Sequence, residues 1–222
     1  FSMNAVAVSL DEANWGELKD PHGGQEDIQR GLVRVLHGES LVAGATRILR
    51  AVRYAGRLGF HLETGTETML RRDLSYVDTI GGDRVRNELA RLFREARAVP
   101  MLEMAQRLGV LAAVYPPLEV SSNAMARLKS ASSHPDGETC LLLVSILAFR
   151  LPSGARQGFV KRLNMDARWA RAVRDTGAIK DSLEGLAAID LAASTLFRTL
   201  HGLDISAVRG SRFATDEPLV AE

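Results

Sequence analysis

The spacing of apolar residues changes period along this chain, and the changes divide it. Residues 4–10 (NAVAVSL) alternate small and β-branched side chains and predict a short strand. A polar turn at 11–14 leads to 15–18, which predicts a second short strand. Asp20-Pro21-His22-Gly23-Gly24 is a turn cluster, because proline fixes one angle and the glycines permit positive φ. Residues 25–30 predict about two helical turns closed by Gly31, 32–36 an extended lead-in, and 37–40 a polar break.

From Val42 to Leu58 the period becomes helical. At about 100° per residue, Ile48, Ala51, Val52, Ala55 and Leu58 share one face. Arg47, Arg50, Arg53 and Arg57 share the opposite face, and Gly59 supplies a helix stop. The same period predicts helices at 63–72, at 83–97 with Val85, Leu89, Leu92 and Phe93 inward, and at 100–108 with Leu102, Ala105 and Leu108 inward. Residues 76–82 read as a connection and 110–114 as a short apolar turn before Pro116-Pro117. Further helices are expected at 123–132, 138–149, 155–163, 167–186 and 187–200, and the tail from 210 to 222 is expected to be loose. The class is therefore all-α, a helical neck and body preceded by a small β remnant. Two short strands do not stand alone, so the remnant reads as the edge of something larger. The helices after residue 40 are expected to bury one continuous core.

Composition narrows the chemistry. With 46% apolar and 25% charged residues in 222, the chain has a core, and disorder throughout is excluded. Cys140 is the only cysteine, so no intramolecular disulfide and no all-cysteine metal site exists, and its apolar run (CLLLVSILAF) predicts a buried inert thiol. That run is too short to span a membrane, and no membrane partner is expected. Aromatics are 5%, too few for a stacking platform. His22, His37, His61, His134 and His201 form no i,i+3 or i,i+4 pair, and no GxSxG marks a nucleophile. No catalytic and no metal-ligating residue is therefore assigned. Of the 28 basic residues 24 are arginine, and the net charge is −4 over 1–46, +4 over 47–107 and +1 over 108–222. An anionic partner belongs on the middle segment. An ordinary solvated face is the competing explanation of the four arginines.

Order and spacing add a resemblance. FSMNAVAV, then DPHGGQEDIQRGLVRVL, RILRAVRYAGRLGF and GGDRVRNELARLF occur over residues 1–95, followed by the weaker MLEMAQRLGVLAAVYP at 101–116. Together they resemble the class II tRNA nucleotidyltransferases, the CCA-adding enzymes, and the bacterial poly(A) polymerases. The resemblance implies a division into 1–40, the C-terminal edge of a catalytic head and its hinge; 41–116, a neck that binds nucleotide and RNA; and 117–222, a helical body and tail. It implies that paired aspartates holding Mg²⁺ lie in a head this chain lacks, that Asn4 ends the motif after them, and that no Mg²⁺ binds the chain itself. Asp20 with Gly23-Gly24 matches the hinge element. The neck motif EDxxR is matched only at Arg47, because Ala43 and Gly44 stand where the Glu and Asp would be. Asp83, Arg84 and Glu88 match the later framing motif, with Asp for its usual Glu.

The implied sites are Arg47, Arg50 and Arg84 for nucleotide, Arg53 and Arg57 for RNA, and Asn4, Asp20, Asp83 and Glu88 for hinge and framing. Arg84 and Glu88, one turn apart, are expected to pair. Arg50, Arg53 and Arg57 have two readings: phosphate contact, or ion pairs with Asp83, Glu88 or Glu95. The implied partners are the tRNA 3′ end, CTP and ATP, and the missing head, with a homodimer as another way to cover the strands. The implied location is cytoplasmic. The implied function is the neck and body of an RNA nucleotidyltransferase, inactive without its head. Two alternatives are a degenerate RNA- or nucleotide-binding module and a structural helical domain.

Overall fold

In the computed structural model, which describes residues 1–131, 139–183 and 192–215, the helix carrying the arginines is Thr46–Leu58 (α2). Its apolar face is buried at Ile48, Leu49, Ala51, Val52 and Ala55, and Gly59 closes it in the left-handed conformation at φ 71°. It begins four residues later than its pattern predicts. Ala45 offers no side-chain cap, and the Arg47 Nη1–H donates to the Ser40 carbonyl at 2.6 Å, which ties 41–45 into turns. Leu58, expected inward, is 45% exposed at the frayed last position.

Before α2 come the strands Ala7–Val8 (β1) and Leu18–Lys19 (β2), paired antiparallel, then the helix Gly24–Gln29 (α1) and the strand Leu32–Val33 (β3). β3 pairs in parallel with His61–Leu62 (β4), just past α2. The expected strand at 4–10 is shorter than predicted, because Ser2–Asn4 form a 3-10 turn. The Ser2 hydroxyl donates to Asp27 at 2.6 Å and its amide to the Arg34 carbonyl at 3.0 Å, which docks this end on α1.

The rest is helical: Thr64–Arg72 (α3), Gly82–Phe93 (α4), Ala98–Arg107 (α5), Val110–Val114 (α6), Ser122–Ala131 (α7), Thr139–Arg150 (α8), Ala155–Arg162 (α9), Ala167–Asp181 (α10), Ala193–Leu200 (α11) and Ile205–Ala214 (α12). Glu63 caps α3, accepting from the amides of Gly65 and Thr66 at 2.9 and 2.8 Å. α4 ends at Phe93 instead of 97, its stripe of Val85, Leu89, Leu92 and Phe93 buried as expected. The link at 76–82 contains a 3-10 helix, Leu74–Thr79, and 110–114 is a full α-helical turn. One hydrophobic core runs from Val35 to Ala214, and α2, α4 and α5 contribute its first half. Gly56 is needed where α2 meets α5, since a Cβ there would lie 2.2 Å from the Met101 side chain.

The tail departs from expectation. Residues 205–214 form α12, because Gly210, Ser211 and Ala214 are small enough to pack against α8; a Cβ on Gly210 would stand 2.5 Å from that of Ser145. The helix boundaries expected at 132, 138, 186 and 187, His134, and residues 216–222 lie outside the described residues.

Candidate nucleic-acid interface

The four arginines of α2 do not share one environment. Arg53 is 9% exposed, while Arg47 and Arg50 are half-buried and Arg57 is exposed. The cause lies across the helix pair. α4 presents Glu88, 7% exposed, and the segment after it Glu95, with the Arg53 Nε 3.4 Å from Glu88 Oε2 and Nη1 3.6 Å from Glu95 Oε1. Neither Arg53 Nε nor Glu88 Oε2 makes a hydrogen bond, so the pairing is by charge. The ion-pair reading therefore holds for Arg53, and its expected RNA contact is corrected: a guanidinium enclosed in this way is not offered to an RNA strand.

Arg47 and Arg50 lie one turn apart, both near the Phe1 amino group, and Arg50 is beside Tyr54. Arg50 Nη2–H donates to the Tyr54 phenol oxygen at 3.0 Å, and the guanidiniums of Arg50 and Arg53 lie 5.5 and 4.9 Å from the ring centre. The Arg50 hydrogen bond, outweighing burial, draws the phenol below its ordinary ionisation range. Phe1 meets the same ring edge-on at 5.6 Å, and the nearby Asn4 side chain adds a smaller lowering of the phenol's ionisation. Asn4 thus stands at the site beside α2. Tyr54 carries no sign in the helical pattern beyond an aromatic among arginines, so sequence alone does not single it out.

The element expected to form a hinge lies at the start of α1. Asp20 accepts from the amides of Gly24 at 2.7 Å and Gln25 at 2.9 Å, so its carboxylate opens α1 and its ionisation falls below the usual range. Gly24 has no room for a side chain, since a Cβ would stand 2.5 Å from the Ser2 carbonyl oxygen. Asp27 is 2% exposed; burial raises its carboxyl pKa, but the Arg34 fork at 2.9–3.1 Å and the Ser2 hydroxyl outweigh that, and the result is below the ordinary value. Ser2, Asp27 and Arg34 were not foreseen, because a contact across a turn leaves no period.

The expected Arg84–Glu88 pair is corrected. Arg84 is exposed and makes no ion pair among the described residues, while Glu88 Oε1 accepts from Arg91 Nη1 at 2.6 Å. Glu88 is drawn inward because α4 turns that position toward α2, and Arg84 lies on the outer side. Asp83 faces outward too, 3.2 Å from Arg86 and accepting from Asn164 Nδ2 at 2.8 Å. Of the nine expected positions, Asn4, Arg47 and Arg50 come together on one surface, with Arg57 about two turns beyond Arg50 along the helix.

This surface can do specific things. A guanidinium carries five donors, and Arg47 spends Nη1 on Ser40 while Arg50 spends Nη2 on Tyr54, which leaves donors for phosphate oxygens or base edges. A Cβ at Gly44 would stand 3.1 Å from Arg47 Nη1, so a side chain at 44 would meet that fork directly. Among the described residues no group of three or more His, Cys, Asp or Glu is placed to hold a metal ion. None of the described helices is long and apolar enough to cross a membrane.

A helical layer with an arginine-lined face is chemically suited to an anionic ligand, and comparison gives the chain relatives. Residues 59–121 match the family described as "Probable RNA and SrmB- binding site of polymerase A". The chain is 35% identical over 127 residues to the A-adding tRNA nucleotidyltransferase of Geobacter sulfurreducens, which covers 56% of this chain and 14% of that protein. It is 33% identical over 188 residues to the multifunctional CCA protein of Xanthomonas campestris pv. campestris, 78% of this chain and 44% of that one. A solved tRNA-processing enzyme superposes at a TM-score of 0.73 with 26% identity, over 96% of this chain and 61% of its own. A CCA-adding enzyme solved with CTP superposes at 0.82 with 20% identity, over 100% and 55%, a likeness of fold. Over part of their length, the chain is thus similar to members of the tRNA nucleotidyltransferase and poly(A) polymerase family. It spans 14–44% of the length of these two curated relatives.

Proposed function

We propose that this chain is the neck and body of an RNA nucleotidyltransferase, which holds the incoming nucleotide and the RNA 3′ end while a catalytic head transfers the nucleotidyl group. The observation that carries this is the row of Arg47, Arg50 and Tyr54 along α2 with Asn4 beside it, in a segment of net positive charge. Relatives named for A-adding and CCA-adding activity support CTP or ATP and a tRNA 3′ end as its ligands. Arg47 and Arg50 contact the nucleotide, Arg57 extends the contact to RNA phosphates, and Asp20 with Asp27 fixes the hinge. Arg84, on the outer side of α4, is given no nucleotide contact. The complete enzyme uses Mg²⁺ held by residues of the head; this chain binds none and is inactive alone in the cytoplasm.

The hairpin of β1 and β2 supports the head as a partner. Val8, Leu10, Trp15 and Leu18 are 45–74% exposed, an apolar face with nothing on it among the described residues. A second copy of the chain is the competing occupant, and sedimentation velocity separates the two. The binding-only reading draws on Ala43 and Gly44, which offer no side-chain acceptor for the exocyclic amine of C or A. Gly44→Asp places a carboxylate beside Arg47, and a gain in preference for C and A, once a head is supplied, supports the enzyme reading.

The test is a salt titration of RNA and nucleotide binding by the chain and by Arg47→Ala. Counterion release makes phosphate binding fall as salt rises, and the substitution lowers affinity modestly. No binding at low salt overturns the reading; equal binding by both removes Arg47 from the site.

A further inference from the structure

The C-terminal half reaches back to α4 through a short hook, residues 162–164, where α9 ends. That end is a left-handed cap: the amide of Asn164 donates to the Lys161 carbonyl and that of Met165 to the Val160 carbonyl, both at 3.1 Å. Glycine suits such a position best, yet Asn164 occupies it at φ 44°, the only non-glycine residue at positive φ among the described residues. What asparagine adds is a side-chain amide. Its Nδ2 donates to Asp83 Oδ1 at 2.8 Å, at the start of α4.

Asn164 does not act alone. Arg162 Nη1 and Nη2 donate to the carbonyls of Ile80 and Val77 at 3.1 and 2.9 Å, at the open end of the 3-10 helix that leads into α4. The Asn164 carbonyl accepts from Arg86, one turn into α4. Gly82, the first residue of α4, lies flat against the hook, since a Cβ there would stand 2.4 Å from the Arg162 carbonyl oxygen. Leu163, between the two polar residues, is fully buried. Hydrogen bonds between residues 78–85 apart in sequence thus fix where α4 begins.

We propose that Arg162 and Asn164 are positioning residues of the nucleotide site, holding α4 in the register that keeps Arg50 and Tyr54 arranged on α2. This rests on the function proposed above. The link between hook and site is short. α4 is one helix of 12 residues, and five residues past Asp83 it presents Glu88 to Arg53 at 3.4 Å. Arg53 lies 4.9 Å from the centre of the Tyr54 ring, whose phenol accepts from Arg50. A shift at the start of α4 carries Glu88 with it and releases Arg53 from the Tyr54 ring. The exposed hydrogen bond of Asn164 to Asp83 contributes little to stability and sets direction, while the half-buried Arg162 fork carries most of the hold.

The test reads two quantities in the whole chain. One is binding of labelled ATP by fluorescence anisotropy. The other is the ring signal of Tyr54 by NMR with isotope-labelled tyrosine, assigned with Tyr54→Phe. The variants are Arg162→Ala, Arg162→Lys, Asn164→Gly and Ile179→Ala. Ile179 is buried about 18 Å along α10 from the end next to the hook, and its truncation controls for lost stability. Arg162→Ala is expected to weaken ATP binding about fivefold and to shift the Tyr54 signal. Arg162→Lys keeps a donor for one carbonyl and is expected to stay within about twofold of the parent. Asn164→Gly keeps the helix cap, so its melting by circular dichroism matches the parent while the Tyr54 signal moves the same way by less. Ile179→Ala is expected to lower the melting temperature and to leave ATP binding and the Tyr54 signal unchanged. ATP binding unchanged in Arg162→Ala overturns the proposal alone, as does a Tyr54 signal that moves in neither hook variant. Equal weakening in Ile179→Ala makes the hook a matter of stability only and overturns it too. Failure of the parent chain to bind ATP overturns the function reading, and the positioning role with it.

Discussion

Two regions of this molecule are equally apolar on paper and opposite in fact. The helical wall built from α2, α4 and α5 buries nearly every residue its pattern marks, and Phe93, Met101 and Leu102 are fully enclosed. The hairpin of β1 and β2 leaves Val8, Leu10, Trp15 and Leu18 exposed. The difference is one of partners. A helix at period 3.6 finds its complement in the next helix of the same chain, whereas a two-stranded ribbon needs a sheet or layer to complete it. Stability is therefore concentrated after residue 20, and the hairpin has the character of a surface made for contact.

The sharpest way to break this comparison is to cut both regions alike. Phe93→Ala is expected to cost about 3–5 kcal/mol, because a fully buried ring leaves a cavity. Trp15→Ala is expected to stay within about 0.5 kcal/mol in the isolated chain. Urea denaturation of both variants measures this, and equal losses would mean that the hairpin is part of the core. A smaller contrast separates arginines that the sequence presents alike. Glu88→Ala leaves the enclosed Arg53 with only Glu95, and a loss of about 3 kcal/mol is expected, against about zero for Arg57→Ala. The same denaturation experiment reads both, and a neutral Glu88→Ala would show the pair to be unimportant.

A third contrast is in pH. Asp27 is ionised in the fold at lower pH than in the unfolded chain, so its contribution is present above the ordinary carboxylate range. It is lost as pH falls through the depressed folded value. Asp27→Asn is thus expected to flatten the loss of stability as pH falls through and below the ordinary carboxylate range. Thermal melts across that range check it, and a variant with the parent's acid profile would contradict the assignment. The smallest effect is dynamic. Amides at 7–19 should exchange faster than those at 48–58, while Ser2, tied to Asp27 and Arg34, should be protected. Hydrogen exchange by NMR reads all three, and uniform protection over 1–19 would count against the division.

The helices were legible because repeating contact leaves a repeating pattern. The inward positions of α4 and α5 and the Gly59 stop follow from period and glycine placement alone. What failed to show was contact that occurs once. Ser2 with Asp27, Arg34 across the Gly31 turn, and Tyr54 under two guanidiniums involve residues with no spacing to betray them. The start of α2 was misplaced because Arg47 bonds backward to Ser40, and a side chain of that length obeys no local rule. Arg84 and Glu88 were paired by an i,i+4 rule that suits exposed helices; Glu88 is turned inward toward Arg53, and tertiary charge decided the outcome. The tail misled for another reason, since small residues look patternless until a partner helix shows that they are the contact.

The central claim is that an RNA 3′ end rests against α2 beside Arg47 and Tyr54. An RNA carrying a photoreactive 3′-terminal nucleotide tests it directly, with irradiation of the complex, digestion and mass spectrometry of the linked peptides. Crosslinks are expected within residues 40–57, with Tyr54 among the linked positions, and Arg47→Ala should reduce their yield. Crosslinks from the terminal nucleotide confined to peptides outside 40–57, at the same RNA occupancy, would contradict the account.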